Sequence, residues 1–287
     1  MSQPENQTPG NAPAYSAPQP QDRPVIEEPA RLGPLERLTG TLLSPGETFA
    51  DINRKPTWLA PMLIVLLVGL ASSLFFEWRV KPDWDRFFRT QVTKALEKSG
   101  RTVPPEQIDQ QVAMQVKFAK TDLSSPISIL LLLVKMIVYV VFSCLVPAGI
   151  FALGLMMMQA KTTFKKILSV VSWSTAATGL VGAIVFIAVL MVREPESLRD
   201  INPTEITTLI PTNLGVLLPS DTSPMLGSIA GSLDIFAIWL MILFTIGFAA
   251  IAGSRKITTG KTGTLVFGLW TVWVLIKAGA AAVFFSR

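Results

Sequence analysis

GSIAGSLDIFAIWLMILFTIGFAAIAGSRKITTGKTGTLVFGLWTVWVLIKAGAAAVFF, residues 227–285, is the stretch whose reading decides the fold. Two apolar runs, each long enough to cross a hydrocarbon core of roughly 30 Å, flank a short linker bearing Arg255, Lys256 and Lys261. The pattern predicts a transmembrane helical hairpin with a basic turn. Two charges interrupt it, Asp234 near the start of the first run and Lys277 late in the second. A charge at mid-bilayer costs about 2.5–3.5 kcal/mol even on the lenient insertion scale, so both positions call for a physical reason.

The whole chain agrees with that reading. Of its 287 residues, 50% are hydrophobic and only 16% charged, which predicts an all-α polytopic membrane protein rather than a soluble domain. The formal net charge of +5 is spread out, with no dense basic run of the kind that binds nucleic acid. Histidine is absent, which removes Ser-His-Asp and Cys-His catalysis, HExxH chemistry and His-ligated zinc or haem. The single cysteine, Cys144, sits in an apolar run and reads as a small core residue. No cofactor or metal is expected. The polar, proline-rich start lacks the basic and apolar regions of a cleavable signal peptide.

Working outward, five spans are predicted at about 58–76, 127–158, 167–192, 227–252 and 264–285. Residues 1–33 read as a disordered cytoplasmic tail. Residues 34–57 read as two amphipathic helices at the membrane surface, with Leu35, Leu38, Leu42 and Leu43 on one face. Ser44-Pro45-Gly46-Glu47 predicts a capping box that restarts the helix. Between the first two spans, residues 79–124 predict a soluble helical hairpin, with Trp84, Phe87, Phe88 and Val92 at helical spacing and Ile108, Val112 and Val116 on its partner. The second span should tilt, protrude or bend near Pro147. Thr175, Gly179 and Ala183 in the third have the small-xxx-small spacing that lets helices approach, and Gly227 and Gly231 repeat it at the start of the fourth.

The short connections set the orientation. Lys161, Lys165 and Lys166 follow span two, Arg255, Lys256 and Lys261 follow span four, and Arg54 and Lys55 precede span one, so the positive-inside rule puts all three groups in the cytoplasm. The predicted topology is a plasma (inner) membrane protein with its N-terminus inside and its C-terminus outside. Residues 79–124 carry nine Lys/Arg but also six acids, and a folded segment translocates with less regard to charge. On this topology Glu77, Lys135, Asp234 and Lys277, from four different spans, share the outer half of the bilayer. They are the candidate site: an internal polar cluster with Asp234 paired to Lys277 or Lys135. The alternative is that the lysines snorkel outward and Asp234 caps a helix start.

SPGETFADI at 44–52, the Pro56-Thr57-Trp58 that follows, a five-span body and LDIFAIW at 233–239 before a basic turn together resemble the Yip domain family, membrane proteins that interact with Ypt/Rab GTPases, and its bacterial branch in particular. The resemblance covers about Leu35 to Phe285. It implies five transmembrane helices, a cytoplasmic N-terminus and no enzymatic activity; Asp234 and Trp239 match the acid and the tryptophan of the family's fourth-span motif. Eukaryotic relatives act in vesicle trafficking by binding prenylated Rab GTPases. The charged insertion at 77–125 departs from the eukaryotic pattern, and a bacterial owner would have no Rab partner. The reading is therefore a membrane-organising or trafficking-type scaffold or adaptor; the alternative is a transporter or channel subunit that uses the outer-half charges. Expected partners are the lipid bilayer, membrane or cytoplasmic proteins reached through residues 1–57, and further copies of the chain as an oligomer, but not nucleic acid.

Overall fold

The structure is a computed structural model that describes residues 31–100, 103–120, 122–194, 212–219 and 222–285. The expected tail, at 1–33, and the loop after the third span therefore lie almost wholly outside the described residues. The described residues form α1 (Pro34–Leu43), α2 (Pro45–Arg54), α3 (Leu59–Val80), α4 (Trp84–Ser99), α5 (Pro105–Ala119), α6 (Pro126–Met157), α7 (Phe164–Val192), a 3₁₀ turn (Leu214–Leu217), α8 (Pro224–Ser232), α9 (Ile235–Ile251) and α10 (Thr259–Phe285). Among them there is no β-strand, only an isolated bridge between Asn213 and Asp234.

Four helices are long and apolar enough to cross a membrane: α3, α6, α7 and residues Thr259–Val283 of α10. The fifth apolar helix, α9, has 17 residues, about 26 Å at ~1.5 Å per residue, which is the lower limit for a crossing. The stretch expected as one span over 227–252 is two helices, α8 and α9, broken at Leu233-Asp234.

Packing centres on α7 rather than on the 227–285 hairpin. Val170, Val171, Trp173 and Ala177 of α7 are fully buried, and α1, α2, α3, α6 and α9 all pack on that helix. Phe151 of α6 and Phe244 and Phe248 of α9 form an aromatic cluster beside it, with ring centroids 4.8–5.7 Å apart. At Gly247 the backbone of α9 approaches so closely that an added Cβ would collide with Val170 and come within 3.3 Å of Phe49 of α2. Arg79 of α3 donates to the carbonyls of Leu190 (3.0 Å) and Arg193 (2.7 Å), closing the C-terminus of α7. Gly179 and Ala183 face the seam between α7 and α3. With Gly69 and Gly182 they line an apolar crevice of about 240 Å³ between α3, α6 and α7.

The helices α1 and α2 are built into one end of this bundle. Phe49 and Ile52 are fully buried against α7 and α9, and Asn53 Nδ2 donates to the Ala250 carbonyl at 3.2 Å. The face expected to be continuous is split: Leu38 is buried and Leu42 packs on the core, whereas Leu35 and Leu43 are 75% and 85% exposed. Ser44 makes no side-chain cap: as the single residue between the two helices it closes α1 through its N–H on Gly40 O (2.8 Å), and its φ/ψ of −143°/63° departs from the extended conformation a cap needs. At the same end, Lys161 N donates to Ala252 O at 2.9 Å, and Gly253 takes φ +64° with its α-carbon turned against the Lys161 carbonyl. The basic groups at 54–55, 161–166 and 255–261 thus gather at one end.

The insertion is a helical hairpin of α4 and α5 at the other end. Asp83 caps α4 by accepting from Arg86 N (3.1 Å), Gly100 ends it at φ +63°, and Val92 and Val112 are buried. Arg89 spans the hairpin to Asp109 at 2.6 Å.

Candidate functional site

Breaking a helix inside a membrane releases backbone groups that lipid cannot satisfy. At the α8–α9 break they are met by the segment at 212–214: Leu214 N donates to Leu233 O (3.2 Å) and Ile235 N to Thr212 O (3.1 Å). Asp234 Oδ1 accepts from Phe236 N (2.8 Å) and Ala237 N (3.1 Å), and Oδ2 accepts from the Thr212 hydroxyl. The carboxylate therefore caps the positive end of α9. Lys277, from α10, donates at 3.1 Å to the Oγ of Ser232, the last residue of α8, where a cation complements the negative helix end. Two charges that looked like partners in sequence thus serve opposite ends of two half-helices. Among the described residues no ion pair joins Asp234 to Lys277 or Lys135.

Glu77 and Lys135 belong to a second junction, where α3 and α6 meet the hairpin. Trp84 Nε1 donates to Glu77 Oε1 (3.2 Å), and Lys135 Nζ donates to the Phe118 carbonyl (2.7 Å) in the last turn of α5. Glu77, Lys81, Lys120, Trp78 and Trp84 line a recess of about 470 Å³ there. The four candidate residues thus form two polar junctions, and no hydrogen bond or ion pair among the described residues links one to the other. Trp239 is half-buried and packs on the central core from α9.

A deeply buried ion-paired network, not among the candidate residues, lies at the opposite end. Arg37 and Asp51 are 2% and 5% exposed. Arg37 Nε and Nη2 both donate to Asp51 Oδ2, at 3.0 and 2.7 Å, and Arg31 N donates to Oδ1 at 2.9 Å. Arg37 Nη1 also donates to Thr57 Oγ1 (2.6 Å), which accepts from Trp173 Nε1 of α7 (3.2 Å). Burial pushes the Asp51 carboxyl up, but the donors from Arg31 and Arg37 outweigh it and hold the group below its ordinary value. The available signal was one charge on the inner face of each consecutive amphipathic helix, Arg37 beside Leu38 and Asp51 beside Ile52.

No group of three or more His, Cys, Asp or Glu side chains able to hold a metal occurs among the described residues. In comparisons with known proteins, a family model described as the Yip1 domain matches residues 39–286. No curated protein and no solved structure matches.

Proposed function

The chain belongs to the Yip1 domain family and is a multi-pass integral membrane protein in contact with the lipid bilayer, and from that premise we propose that it is a non-enzymatic scaffold that recruits proteins to the membrane. The observation that carries this reading is the docking of α1 and α2. An amphipathic pair tied together by a buried ion pair and seated on the bundle through Phe49 and Ile52 holds Leu35 and Leu43 outward in a fixed geometry. Exposed leucines on a rigid platform suit a partner's apolar groove. We place the platform and the three basic groups in the cytoplasm of the plasma (inner) membrane, N-terminus inside and C-terminus outside, by the positive-inside rule. Further copies of the chain are among the partners this reading admits, and a Rab-dependent trafficking role applies only if the cell has such GTPases.

The test is affinity capture from mild detergent with three forms: the full chain, Leu35→Ser/Leu43→Ser, and a variant lacking residues 1–30. Starting the chain at Lys55 is no fair comparison, because it would also remove Phe49 and Ile52 from the core. Proteins lost with the double variant at unchanged thermal midpoint are the expected partners. Identical sets from all three forms would remove the recruitment reading.

The broken helix favours a second reading, a transporter or channel subunit, since such proteins build sites at half-helix ends. Here both ends are already met by Asp234 and Lys277, so the break is self-contained. Solute or ion flux in reconstituted vesicles that falls with Asp234→Asn would revive it.

A further inference from the structure

A recess of about 680 Å³ opens where the 3₁₀ turn and α8 lie against α10. Asn213, Thr222, Ser228 and Lys277 supply its polar lining, and Gly227 and Gly231 leave its wall without side chains. Lys277 is 18 residues beyond Thr259, about 27 Å along the axis of α10, which sets its ammonium near the far boundary of a ~30 Å hydrocarbon core. Its hydrogen bond is to the Ser232 hydroxyl, and no carboxylate among the described residues lies within ion-pair distance. Snorkelling accounts for the reach of the lysine but not for a glycine-walled space in front of it.

The rim has the opposite chemistry. Leu214, Leu217, Met225 and Leu226 are exposed around the same turn and helix. A cation inside a recess at headgroup depth, with apolar side chains beside it, matches an amphiphile. We propose that the recess binds one anionic phospholipid from the leaflet opposite the N-terminal helices. Its phosphate sits on Lys277 and the Ser228 hydroxyl. The Asn213 amide is a further donor, since its Oδ1 is already engaged by Gly215 N at 3.0 Å. The acyl chains lie along Leu217 and Leu226. Free phosphate would use the same donors but leave the leucines uncovered. The proposal rests on membrane insertion and is independent of the scaffold reading.

The experiment uses the full-length protein in mild detergent, with retained phosphatidylglycerol and phosphatidylcholine counted by native mass spectrometry. The wild type should keep phosphatidylglycerol in preference. Lys277→Gln should lower that retention about tenfold, the weight of a charge-assisted contact, while Lys277→Arg keeps it. Ser228→Leu, which removes the hydroxyl and narrows the recess while leaving the cation in place, should lower it too. Equal retention by wild type and Lys277→Gln overturns the proposal. So does full retention by Ser228→Leu, which would mean diffuse surface attraction. Inorganic phosphate binding with no lipid preference overturns the lipid assignment.

Discussion

Replacing Asp51 with asparagine keeps the volume of the side chain and removes its charge. In the native protein that charge accepts two bonds from Arg37 and one from Arg31 N, in a site where both partners of the ion pair are at most 5% exposed. The guanidinium left behind would be buried without its counter-charge, and breaking such a pair costs about 3–5 kcal/mol. Replacing both partners, Arg37→Met with Asp51→Leu, leaves no orphaned charge and should cost far less, so the cycle of Arg37→Met, Asp51→Leu and their combination should return a coupling of about 3 kcal/mol. The assay is unfolding of the purified protein in detergent, followed by loss of the monodisperse peak on heating. Acid gives an independent reading. Because the folded-state value of Asp51 is depressed, the pair's contribution is fully present above the ordinary value of 3.8 and is lost as pH falls below it. The wild type should therefore lose midpoint on acidification below about pH 4 more steeply than Asp51→Asn. A single variant within about 0.5 kcal/mol of wild type, or additive single costs in the cycle, would refute the argument that this pair ties α1 to α2.

Three other outcomes follow from the packing and the topology. Gly247→Leu should lower the thermal midpoint by the equivalent of about 2–3 kcal/mol, because its side chain would displace Val170 and Phe49; an unchanged midpoint would contradict the close approach of α9. Asp234→Ala should cost about 1–2 kcal/mol through the lost cap and Asp234→Asn a fraction of that, since asparagine still accepts; equal losses in the same melt would make the charge, not the cap, responsible. Cysteines placed at 161 and 256, in a Cys144→Ser background, should react with an impermeant thiol reagent only in inside-out vesicles; labelling from the outside of intact cells would reverse the proposed orientation.

How much of this was legible in the sequence depends on the range of the force involved. The long apolar runs at 59–80, 126–157 and 164–192 announce themselves locally, because lipid selects length and hydropathy residue by residue. The break at Leu233-Asp234 does not. One acid hardly lowers the mean over an apolar window, and the groups that make the break tolerable come from Thr212 and Leu214, some twenty residues away in sequence. The candidate charges were found in sequence, but the hydrogen bonds they make go to carbonyls, hydroxyls, an indole N–H and the N–H groups of a helix start rather than to each other. Arg37 and Asp51 were hidden for the same reason: each looks like a solvated charge on a short helix until Thr57 and Trp173 enclose them.

The hydrogen bond from Asn53 to Ala250 spans 197 residues of chain. During synthesis at ~5–20 residues per second, α1 and α2 emerge roughly 10–40 s before α9 exists to receive them. Phe49 and Ile52 lack the α9 side of their seat in that interval, although α3, α6 and α7 have already been made, and an amphipathic pair of this kind suits the bilayer surface until α9 follows. The order of synthesis thus leaves the α9 side of that seat, with Gly247 against Phe49, as the last part to be supplied.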